Sequence, residues 1–431
     1  MRSSWRECAL GDLARIKHGY AFKGEFFGST GTHVVLTPGN FHEAGGFKEK
    51  AEKAKWYSGP VPEDYVLDAG DLIVAMTEQG EGLLGSSALV PRPGFYLHNQ
   101  RLGLVTPSSA AVADRRFLYY LFNSRSVRQQ IRASANGAKI RHTSPARIYE
   151  VKVRVPDTAT QRRIASILAD YDDLIENNTR RIAILEEMAR RTYEEWFVRF
   201  RFPGHEGIQM VESELGLMPK GWQIGTVADV AVVYRGRSYK GSELADSGGR
   251  PFVNLKCMER DGGFRASGLK RYTGQFKESH TVRPGDMVMG ITDMTQERRI
   301  VARVGRVSGL DADFGVFSMD LVRLASRGVY GEPYLYAMFR WSSFADEVKQ
   351  HANGANVLHL LPARIEEFAF ARPTPELAAQ FADLLTPMLS LCDTLERKNA
   401  NLAATRDLLL PKLISGELDM SAMPEPEALA A

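Results

Sequence analysis

The sequence contains two copies of one unit. Trp5 recurs as Trp222, the string Ala-Asn-Gly-Ala occurs at 135–138 and 352–355, and Pro-Ala-Arg-Ile occurs at 145–148 and 362–365. The members of each pair are 217 residues apart. One offset across most of each half indicates a duplicated domain rather than a short solenoid repeat. Two copies under approximate two-fold symmetry supply two similar binding faces, the geometry needed to read two sites on a pseudo-symmetric polymer such as DNA.

Composition bounds the class of protein. A chain of 431 residues with 44% apolar and 25% charged residues is typical of a globular protein with two to four domains. The net charge of +3 neither requires nor excludes nucleic-acid binding, because a basic face can be balanced by acidic helices elsewhere. Without an apolar leader or a run long enough to cross a bilayer, the expected location is the cytoplasm.

The three cysteines, Cys8, Cys257 and Cys392, form no Cys-x-x-Cys pair. Their scatter and odd number argue against a disulfide scaffold and against a structural zinc site. Cys392 lies in a helical apolar pattern, so we interpret it as a small core residue.

Each half begins with a mixed segment of short strands and Gly-rich turns. Strands are predicted at 33–37, 70–75, 102–105, 251–255, 285–289 and 320–324. One helix is then predicted in each half, around 117–132 and around 334–351.

A long helix follows each mixed segment. The first begins at Thr158, whose spacing from Gln161 fits a capping box, and runs to about Phe200. The second opens at Thr374 and Pro375 as N-cap and N1. Pro387 and Pro411 leave open whether the second helix is broken at either point, because an interior proline costs about 3 kcal/mol.

Both helices carry an apolar seam with a mean period of 3.5, which is typical of a coiled coil. One such seam alone could equally be an ordinary buried helix face, but two matched seams favour pairing with each other. In an antiparallel pair whose facing residue numbers sum to 577, Asn178 lies opposite Asn399, and this layer would fix the register. Arg406 then faces Tyr171. The predicted coiled-coil core comprises Ile164, Leu168, Ile175, Asn178, Ile182, Leu185, Leu395, Asn399, Leu402 and Leu409.

These patterns predict an α+β fold: two mixed α/β domains joined by two long antiparallel helices that form a coiled coil, with an internal pseudo-two-fold duplication. The predicted segments are domain one at 1–156, a helix at 157–202, a connector at 203–220, domain two at 221–373, a helix at 374–419 and a disordered tail rich in Ala, Pro and Glu at 420–431.

The sequence contains no recognisable catalytic motif: no phosphate loop, no GxGxxG after a strand, no HExxH and no Cys/His cluster. Recurrent polar loops are the better candidates for function, because Lys and Arg contact phosphates while Gln, Asn and Arg contact base edges. The alternative is that they are ordinary solvated surface loops without a role in binding. The candidate DNA-binding residues are Lys17, His18, Tyr20, Lys23, Gln79, Lys139, Arg141, His142, Arg235, Arg237, Tyr239, Lys240, Gln296, Arg298, Arg299, Asn356 and His359.

Particular strings add a family resemblance. They are Val-Glu-Ser-Glu-Leu-Gly at 211–216, Pro-Lys-Gly-Trp at 219–222, Tyr-Glu-Glu-Trp-Phe at 193–197 and Arg-Asp-Leu-Leu-Leu-Pro-Lys-Leu-Ile-Ser-Gly-Glu-Leu at 406–418. With the repeated domain–helix plan, the chain resembles the specificity subunit of type I restriction–modification systems over nearly its whole length.

The resemblance implies that each mixed segment is a target recognition domain for one half of an asymmetric bipartite DNA site, and that the helices act as a spacer. It implies a chain that is not catalytic and that binds no cofactor itself. S-adenosylmethionine, ATP and Mg2+ would belong to partners: two adenine-N6 modification subunits and, through them, the restriction subunits. Two rival hypotheses are a self-contained methyltransferase or nuclease, and a coiled-coil adaptor that binds only protein.

Overall fold

The computed structural model describes residues 5–50, 53–418 and 420. The chain divides into two compact units, which we call unit 1 (Met1–Ile175 with Asn401–Ala431) and unit 2 (Glu176–Ala400). Each unit therefore contains one mixed segment and part of both long helices. The fold is α+β.

Unit 1 contains thirteen strands among its described residues, which form two large sheets and two small ones. The strands are β1 Arg6–Ala9, β2 Ala14–His18, β3 Phe27–Gly28, β4 His33–Val35, β5 Trp56–Tyr57, β6 Val66–Leu67, β7 Leu72–Ala75, β8 Thr77–Glu78, β9 Ser87–Leu89, β10 Tyr96–Leu97, β11 Leu102–Pro107, β12 Arg141–His142 and β13 Lys152–Val155. The sheet orders are β3-β5-β4-β10-β6, β2-β11-β7-β9, β1-β13 and β12-β8.

Unit 2 contains fifteen strands among its described residues, of which thirteen repeat the topology of unit 1. Its strands are β14 Met210–Ser213, β15 Gly216–Pro219, β16 Gln223–Thr226, β17 Ala231–Arg235, β18 Leu244–Ala245, β19 Arg250–Val253, β20 Lys270–Tyr272, β21 Thr281–Val282, β22 Met287–Gly290, β23 Thr292–Asp293, β24 Val304–Arg306, β25 Gly315–Phe317, β26 Leu321–Ser326, β27 Leu358–His359 and β28 Ala369–Arg372. The orders β18-β20-β19-β25-β21, β17-β26-β22-β24, β16-β28 and β23-β27 match those of unit 1, so the duplication extends to the fold.

Ten α-helices complete the described chain. They are α1 Leu10–Leu13, α2 Arg115–Asn123, α3 Arg125–Ala133, α4 Pro145–Tyr149, α5 Thr158–Tyr193, α6 Val227–Val230, α7 Glu332–Trp341, α8 Phe344–Val348, α9 Pro362–Glu366 and α10 Pro375–Ser415. Each single helix predicted after the strands is in fact interrupted. In unit 1 the backbone of Ser124 is extended (φ −66°, ψ 144°), and this separates α2 from α3. In unit 2, α7 ends before Ser342, and α8 continues into a 3-10 turn at Lys349–His351.

The second long helix is unbroken at both prolines, because α10 runs from Pro375 to Ser415. Pro387 and Pro411 are exposed, as are Asp383 and Asp407 four residues before them. Water can therefore reach the turn in which each proline leaves a carbonyl group without a donor, which reduces the cost of an interior proline.

The start of the first long helix differs from the predicted capping box. Asp157, not Thr158, caps α5, because its Oδ1 accepts a hydrogen bond from the Thr160 backbone N–H at 2.8 Å. The Gln161 side chain instead donates to the Val112 and Pro156 carbonyls. At its other end α5 changes into a π-helical turn, Glu194–Val198. The second helix begins as expected, with Thr374 Oγ1 accepting from the Leu377 N–H at 3.3 Å.

Within unit 2 the two long helices meet through a polar layer. Asn178 Nδ2 donates to Asn399 Oδ1 at 2.9 Å, so both residues lie in one layer, as the predicted register requires. Asn178 and Leu395 are buried, whereas Ile182, Leu185 and Asn399 are half-buried.

Within unit 1 the helix segments also join the domain core. Ile164, Leu168 and Leu413 are buried in one cluster with α2, and Leu409 packs against that cluster. Ile175 and Leu402 are half-buried. The Arg406 guanidinium hydrogen-bonds to Asp172, the residue after the predicted neighbour Tyr171, so its charge is compensated.

The structure also describes the connector, the cysteines and part of the predicted tail. The connector contains a β-hairpin, β14 with β15. The predicted tail 420–431 lies outside the described residues except for Met420, which is buried in the unit 1 core. Cys392 and Cys257 are buried and Cys8 is half-buried, and all three thiols are free. Among the helices described, none is long and apolar enough to cross a membrane.

Candidate nucleic-acid interface

Four loop segments of unit 1 meet at one end of the sheet β2-β11-β7-β9. Strands β2 and β7 end there and β11 begins there, because His18 pairs with Gly103 and Ala75 with Leu102. Beyond the strands, the backbone N–H of Gln100 donates to the Tyr20 carbonyl at 3.0 Å, and that of Met76 donates to the Arg101 carbonyl at 3.0 Å. We call these segments, residues 17–23, 77–80, 99–101 and 136–144, the unit 1 loop face.

The last segment joins this face through β12. Arg141 pairs with Glu78 and His142 with Thr77, and the Thr143 N–H donates to the Met76 carbonyl at 2.9 Å. Thr77 Oγ1 and His142 Nδ1 are 3.2 Å apart. Two loops that are 65 residues apart in the sequence therefore lie side by side.

Unit 2 builds the same face with the same hydrogen bonds. The Met319 N–H donates to the Arg237 carbonyl, the Ile291 N–H to the Asp320 carbonyl and the Leu360 N–H to the Ile291 carbonyl, at 2.8–2.9 Å. Thr292 pairs with His359, as Thr77 pairs with His142. The unit 2 loop face comprises residues 234–240, 292–299, 318–320 and 353–361.

The repeated Asn-Gly pair has a steric cause. Gly137 has φ +99° and Gly354 has φ +149°, conformations that favour glycine. A Cβ on Gly137 would lie 2.0 Å from the Ile140 carbonyl oxygen, and one on Gly354 would lie 1.9 Å from that of Val357. Glycine therefore allows each loop to close tightly on itself.

Gly19 and Gly236 are fixed by a second close approach. A Cβ on Gly19 would lie 2.1 Å from the Asn99 carbonyl oxygen, and one on Gly236 would lie 2.0 Å from that of Ser318. Both glycines thus let the loop after the first long strand of the sheet lie directly against the turn at 99–101 or 318–320.

A buried carboxylate organises the loop that follows β8 in unit 1 and the loop that follows β23 in unit 2. Glu78 is 2% exposed, and its Oε2 accepts from the backbone N–H groups of Gly82, Leu83 and Leu84 at 2.9–3.1 Å. In unit 2 the carboxylate of Asp293 accepts from the backbone N–H groups of Thr295 and Ile300. Charge-assisted hydrogen bonds to several backbone donors hold a loop firmly.

The predicted contact residues of unit 1 lie mostly exposed on the loop face. The exposed ones are His18, Tyr20, Lys23, Gln79, Lys139 and His142, and Arg141 is half-buried. Lys17 is exposed but also engaged: its Nζ donates to the Asp64 carbonyl at 2.7 Å and lies 4.5 Å from the centre of the Tyr65 ring. The loops thus present cationic and amide groups to solvent.

The predicted contact residues of unit 2 differ in how exposed they are and in whether they contact other parts of the protein. Arg235, Lys240, Asn356 and His359 are exposed. Arg237 donates from Nε to the Gln275 carbonyl at 3.1 Å. Tyr239 packs its ring 4.8 Å from that of Phe252, and burial raises the pKa of its phenol.

The remaining three residues of unit 2 are committed to contacts within the protein. Gln296 Nε2 donates to the carbonyls of Gly354 and Ala355 at 3.2 and 3.1 Å. Arg298, at φ +53°, donates to Gln350 Oε1, and Arg299 forms an ion pair with Asp261 that lowers the pKa of that carboxyl. These side chains position the loops. That they also contact DNA stays a prediction.

Sequence reasoning missed the turn before β11 and its counterpart before β26. Gln100 and Arg101 are exposed on the unit 1 loop face, and Met319 is exposed on the unit 2 loop face. The polar string Asn-Gln-Arg at 99–101 between two apolar strands was a visible turn signal. Its placement depends on long-range strand pairing, which no local pattern encodes.

The chemistry that the exposed side chains of these faces offer is contact with nucleic acid. They offer cations for phosphates and amides for base edges. Among the residues that the structure describes, no group of three or more His, Cys, Asp or Glu side chains could hold a metal ion.

Comparison with known proteins agrees with this geometry. Residues 2–187 match the family model of the type I restriction modification DNA specificity domain. The type I restriction enzyme MjaIX specificity subunit of Methanocaldococcus jannaschii is 24% identical over 330 residues, which cover 74% of this chain and 72% of that protein. The HindI specificity subunit of Haemophilus influenzae is 22% identical over 96% of this chain and its own full length.

A solved structure shares the fold. The crystal structure of a type I restriction–modification S subunit from M. genitalium superimposes with a TM-score of 0.61 at 14% identity and covers 96% of both chains. The expected α+β fold with duplicated domains and long helices is confirmed. Residues 2–187 thus match a type I restriction modification DNA specificity domain, and along its length the chain is similar to the specificity subunits of type I restriction enzymes.

Proposed function

We propose that this chain gives a type I restriction–modification complex its DNA sequence specificity, with each loop face reading one half of a bipartite site. The observation that carries the proposal is the recurrence of one loop arrangement, hydrogen bond for hydrogen bond, in two units of one chain. A conserved framework with different side chains at its tips is what recognition of two different half-sites requires.

The two faces are chemically different, which favours an asymmetric site. Lys139 of unit 1 is replaced in unit 2 by Asn356 at the same loop position, and both side chains are exposed. A side chain that changes from cation to amide contacts a different base edge. The two half-sites should therefore differ in sequence.

The two long helices would set the distance between the half-sites. α5 has 36 residues and α10 has 41, and neither is interrupted by a loop. At ~1.5 Å per residue, each spans roughly 55–60 Å, the length of about 16–18 base pairs at ~3.4 Å each. Recognition domains that dock inward from the helix ends would give a separation nearer one turn of DNA.

Equivalent positions on the helices are suited to bind two copies of one partner. Leu174 on α5 in unit 1 and Leu391 on α10 in unit 2 are 217 residues apart, and both are exposed. Exposed large apolar side chains on a helix favour a protein contact. We assign these positions to two adenine-N6 modification subunits, through which the restriction subunits would join.

Catalysis would then reside in the partners, with S-adenosylmethionine on the modification subunits and ATP with Mg2+ on the restriction subunits. The chain itself would act as a non-catalytic scaffold in the cytoplasm, where its DNA lies. The names of its relatives, all specificity subunits, support this division of labour.

Single-molecule mapping of methylated adenines tests the proposal. A host that carries the modification subunit should show one bipartite methylated motif when this chain is present and none when it is absent. Methylation that does not depend on the chain, or a continuous motif, would overturn the proposal. Retention of motif DNA by the assembled complex separates sequence readout from a purely protein-binding adaptor.

A further inference from the structure

The two loop faces differ most at three equivalent positions. The first position follows the strand that pairs with β12 or β27, and holds Gln79 in unit 1 and Met294 in unit 2. The second donates its backbone N–H to the Tyr20 or the Arg237 carbonyl, and holds Gln100 or Met319.

The third position directly precedes the proline that begins a short helix. It holds Ser144 before α4 in unit 1 and Leu361 before α9 in unit 2. At all three positions, unit 1 has a polar side chain and unit 2 has an apolar one.

The three apolar side chains of unit 2 are unusually exposed. Met294 is 66% exposed, Leu361 is 65% exposed and Met319 is 50% exposed. Large apolar side chains in such a state favour a binding surface when they lie on neighbouring segments.

Backbone hydrogen bonds place these side chains on neighbouring segments. Ile291 donates its N–H to the Asp320 carbonyl, next to Met319, and accepts from the Leu360 N–H, next to Leu361. Met294 lies three residues after Ile291, at the end of β23. We call Met294, Met319 and Leu361 the apolar triad.

Cationic side chains on the same loop face indicate which partner covers the triad. Arg235 and Lys240 are exposed on the segment 234–240, whose Arg237 carbonyl accepts from the Met319 N–H. Cationic side chains on the same face as apolar ones complement the anionic backbone and the base edges of duplex DNA. In the major groove the methyl group of thymine is the one apolar group that a base pair presents.

We propose that unit 2 recognises its half-site through apolar contacts between this triad and thymine methyl groups in the major groove, whereas unit 1 relies on amide and cationic side chains. The inference rests on the proposed function, because it assigns a readout chemistry to one of the two faces. Met294, Met319 and Leu361 are thereby specificity-determining residues.

Deoxyuridine substitution tests the inference, since it removes the thymine methyl group and leaves the hydrogen-bonding edge intact. The full chain assembled with its modification subunit is titrated with duplexes that carry the mapped motif. Deoxyuridine replaces thymine in one half-site at a time, on both strands. The half-site of unit 2 is the one whose methylated sequence changes in a variant carrying Asn356→Ala and His359→Ala.

Each contacted methyl group should contribute about four-fold in affinity, the value of burying one methyl-sized group. We expect this loss in the unit 2 half-site and less than a two-fold change in the unit 1 half-site. A variant with Met294→Gln, Met319→Gln and Leu361→Ser, which copies unit 1, should lose the sensitivity to deoxyuridine. Val329→Ser, at an exposed apolar residue outside the loop face, should retain it.

Two results would overturn the inference. They are equal affinity for thymine and deoxyuridine in the unit 2 half-site, and failure of the triad variant to assemble with the modification subunit, which would place the triad in a protein interface. In the same titration, the original chain should bind the duplex that retains all its thymines specifically. If the proposed function failed, this duplex would not be bound specifically, so the two kinds of failure are distinguishable.

Discussion

Asn178 donates a 2.9 Å hydrogen bond from Nδ2 to Oδ1 of Asn399, across the otherwise apolar seam of the two long helices in unit 2. Asn399 in turn donates from Nδ2 to Thr179 Oγ1 at 3.3 Å. A paired polar layer costs stability relative to leucine but disfavours every register in which the two amides separate. The layer therefore specifies the alignment of the helices more than it stabilises them.

Replacing one of the two asparagines should destabilise the protein more than replacing both. Asn178→Ala should lower the free energy of unfolding by about 1–2 kcal/mol, because it removes the hydrogen bond to Asn399 Oδ1 and leaves a cavity in the seam. The double variant Asn178→Leu with Asn399→Leu should be at least as stable as the original chain in a urea titration. A double variant as unstable as the single one would contradict this account.

Loss of register in the double variant can be measured with one added thiol. In the native register, Leu185→Cys lies opposite the natural Cys392, so mild oxidation should link the two helices efficiently. The same substitution in the double leucine variant should give a lower yield, since several registers are populated. Equal yields in both backgrounds would show that the asparagines do not set the register.

The glycines of the loop faces should be indispensable for DNA binding and dispensable for folding. Gly137→Ala and Gly354→Ala each force a Cβ to about 2 Å from a carbonyl oxygen at a positive φ. We expect at least a ten-fold loss of specific affinity with a small change in the melting temperature, because the strain is confined to an exposed loop. Binding by the assembled complex and thermal unfolding measure the two effects.

Gly24→Ala and Gly241→Ala are the matched controls. These glycines are also 217 residues apart and lie on or beside the loop faces, but nothing lies within 4 Å of an added Cβ. Both variants should bind the motif like the original chain. A similar loss in the controls would mean that the loops respond to any added methyl group rather than to the close approach.

The sequence predicted the duplicated architecture well, because it resides in local and periodic signals. The 217-residue offset, the apolar seams and the Asn178/Asn399 register could all be obtained by inspection. The framework of the loop faces could not, since residues 77–80 meet residues 136–144 only after two short strands pair across the chain. Local patterns carry no information on such pairing.

The roles of individual side chains within the loop faces were harder still to predict from the sequence. Gln296, Arg298 and Arg299 have the composition of a DNA-binding loop, yet the structure shows their polar atoms bonded to backbone carbonyls, Gln350 and Asp261. The failure of Pro387 and Pro411 to break α10 has a similar origin, because exposure to water decides the cost of an interior proline and exposure is a tertiary property.

Unit 1 should lose stability in mild acid because of one buried histidine. His98 is fully buried with Nε2 3.0 Å from the Leu102 carbonyl oxygen, and burial lowers its pKa from 6.5 to about 4. The unfolded chain takes up the proton first as the pH falls. The stability is therefore complete above pH 6.5 and declines between pH 6.5 and about 4, by on the order of 3 kcal/mol in total.

The control is His98→Phe, which places in unit 1 the residue found at the equivalent position of unit 2, Phe317. Urea unfolding at about pH 7.5 and about pH 5 should show a smaller acid-induced loss in this variant than in the original chain. An identical loss in both chains would assign the acid sensitivity to other groups.

Changing both helices by one heptad should change the gap in the DNA site and nothing else. Removing residues 179–185 together with 392–398 shortens each helix by about 10 Å, leaves Asn178 opposite Asn399 and keeps the remaining layers in register. The mapped motif should lose about three base pairs from its gap, at ~3.4 Å per base pair. Duplicating the same two segments should add about as many. Altered half-site sequences would argue against a spacer role.

The most direct test of two independent recognition faces is to exchange the chemistry of one face and map the methylated motif again. Gln79→Met, Gln100→Met and Lys139→Asn give the unit 1 loop face the side chains that unit 2 carries at the equivalent positions. Adenine methylation should then show a motif with one half-site changed, while the other half-site and the gap stay as in the original chain. A motif that changes in both halves, or in neither, would contradict the account.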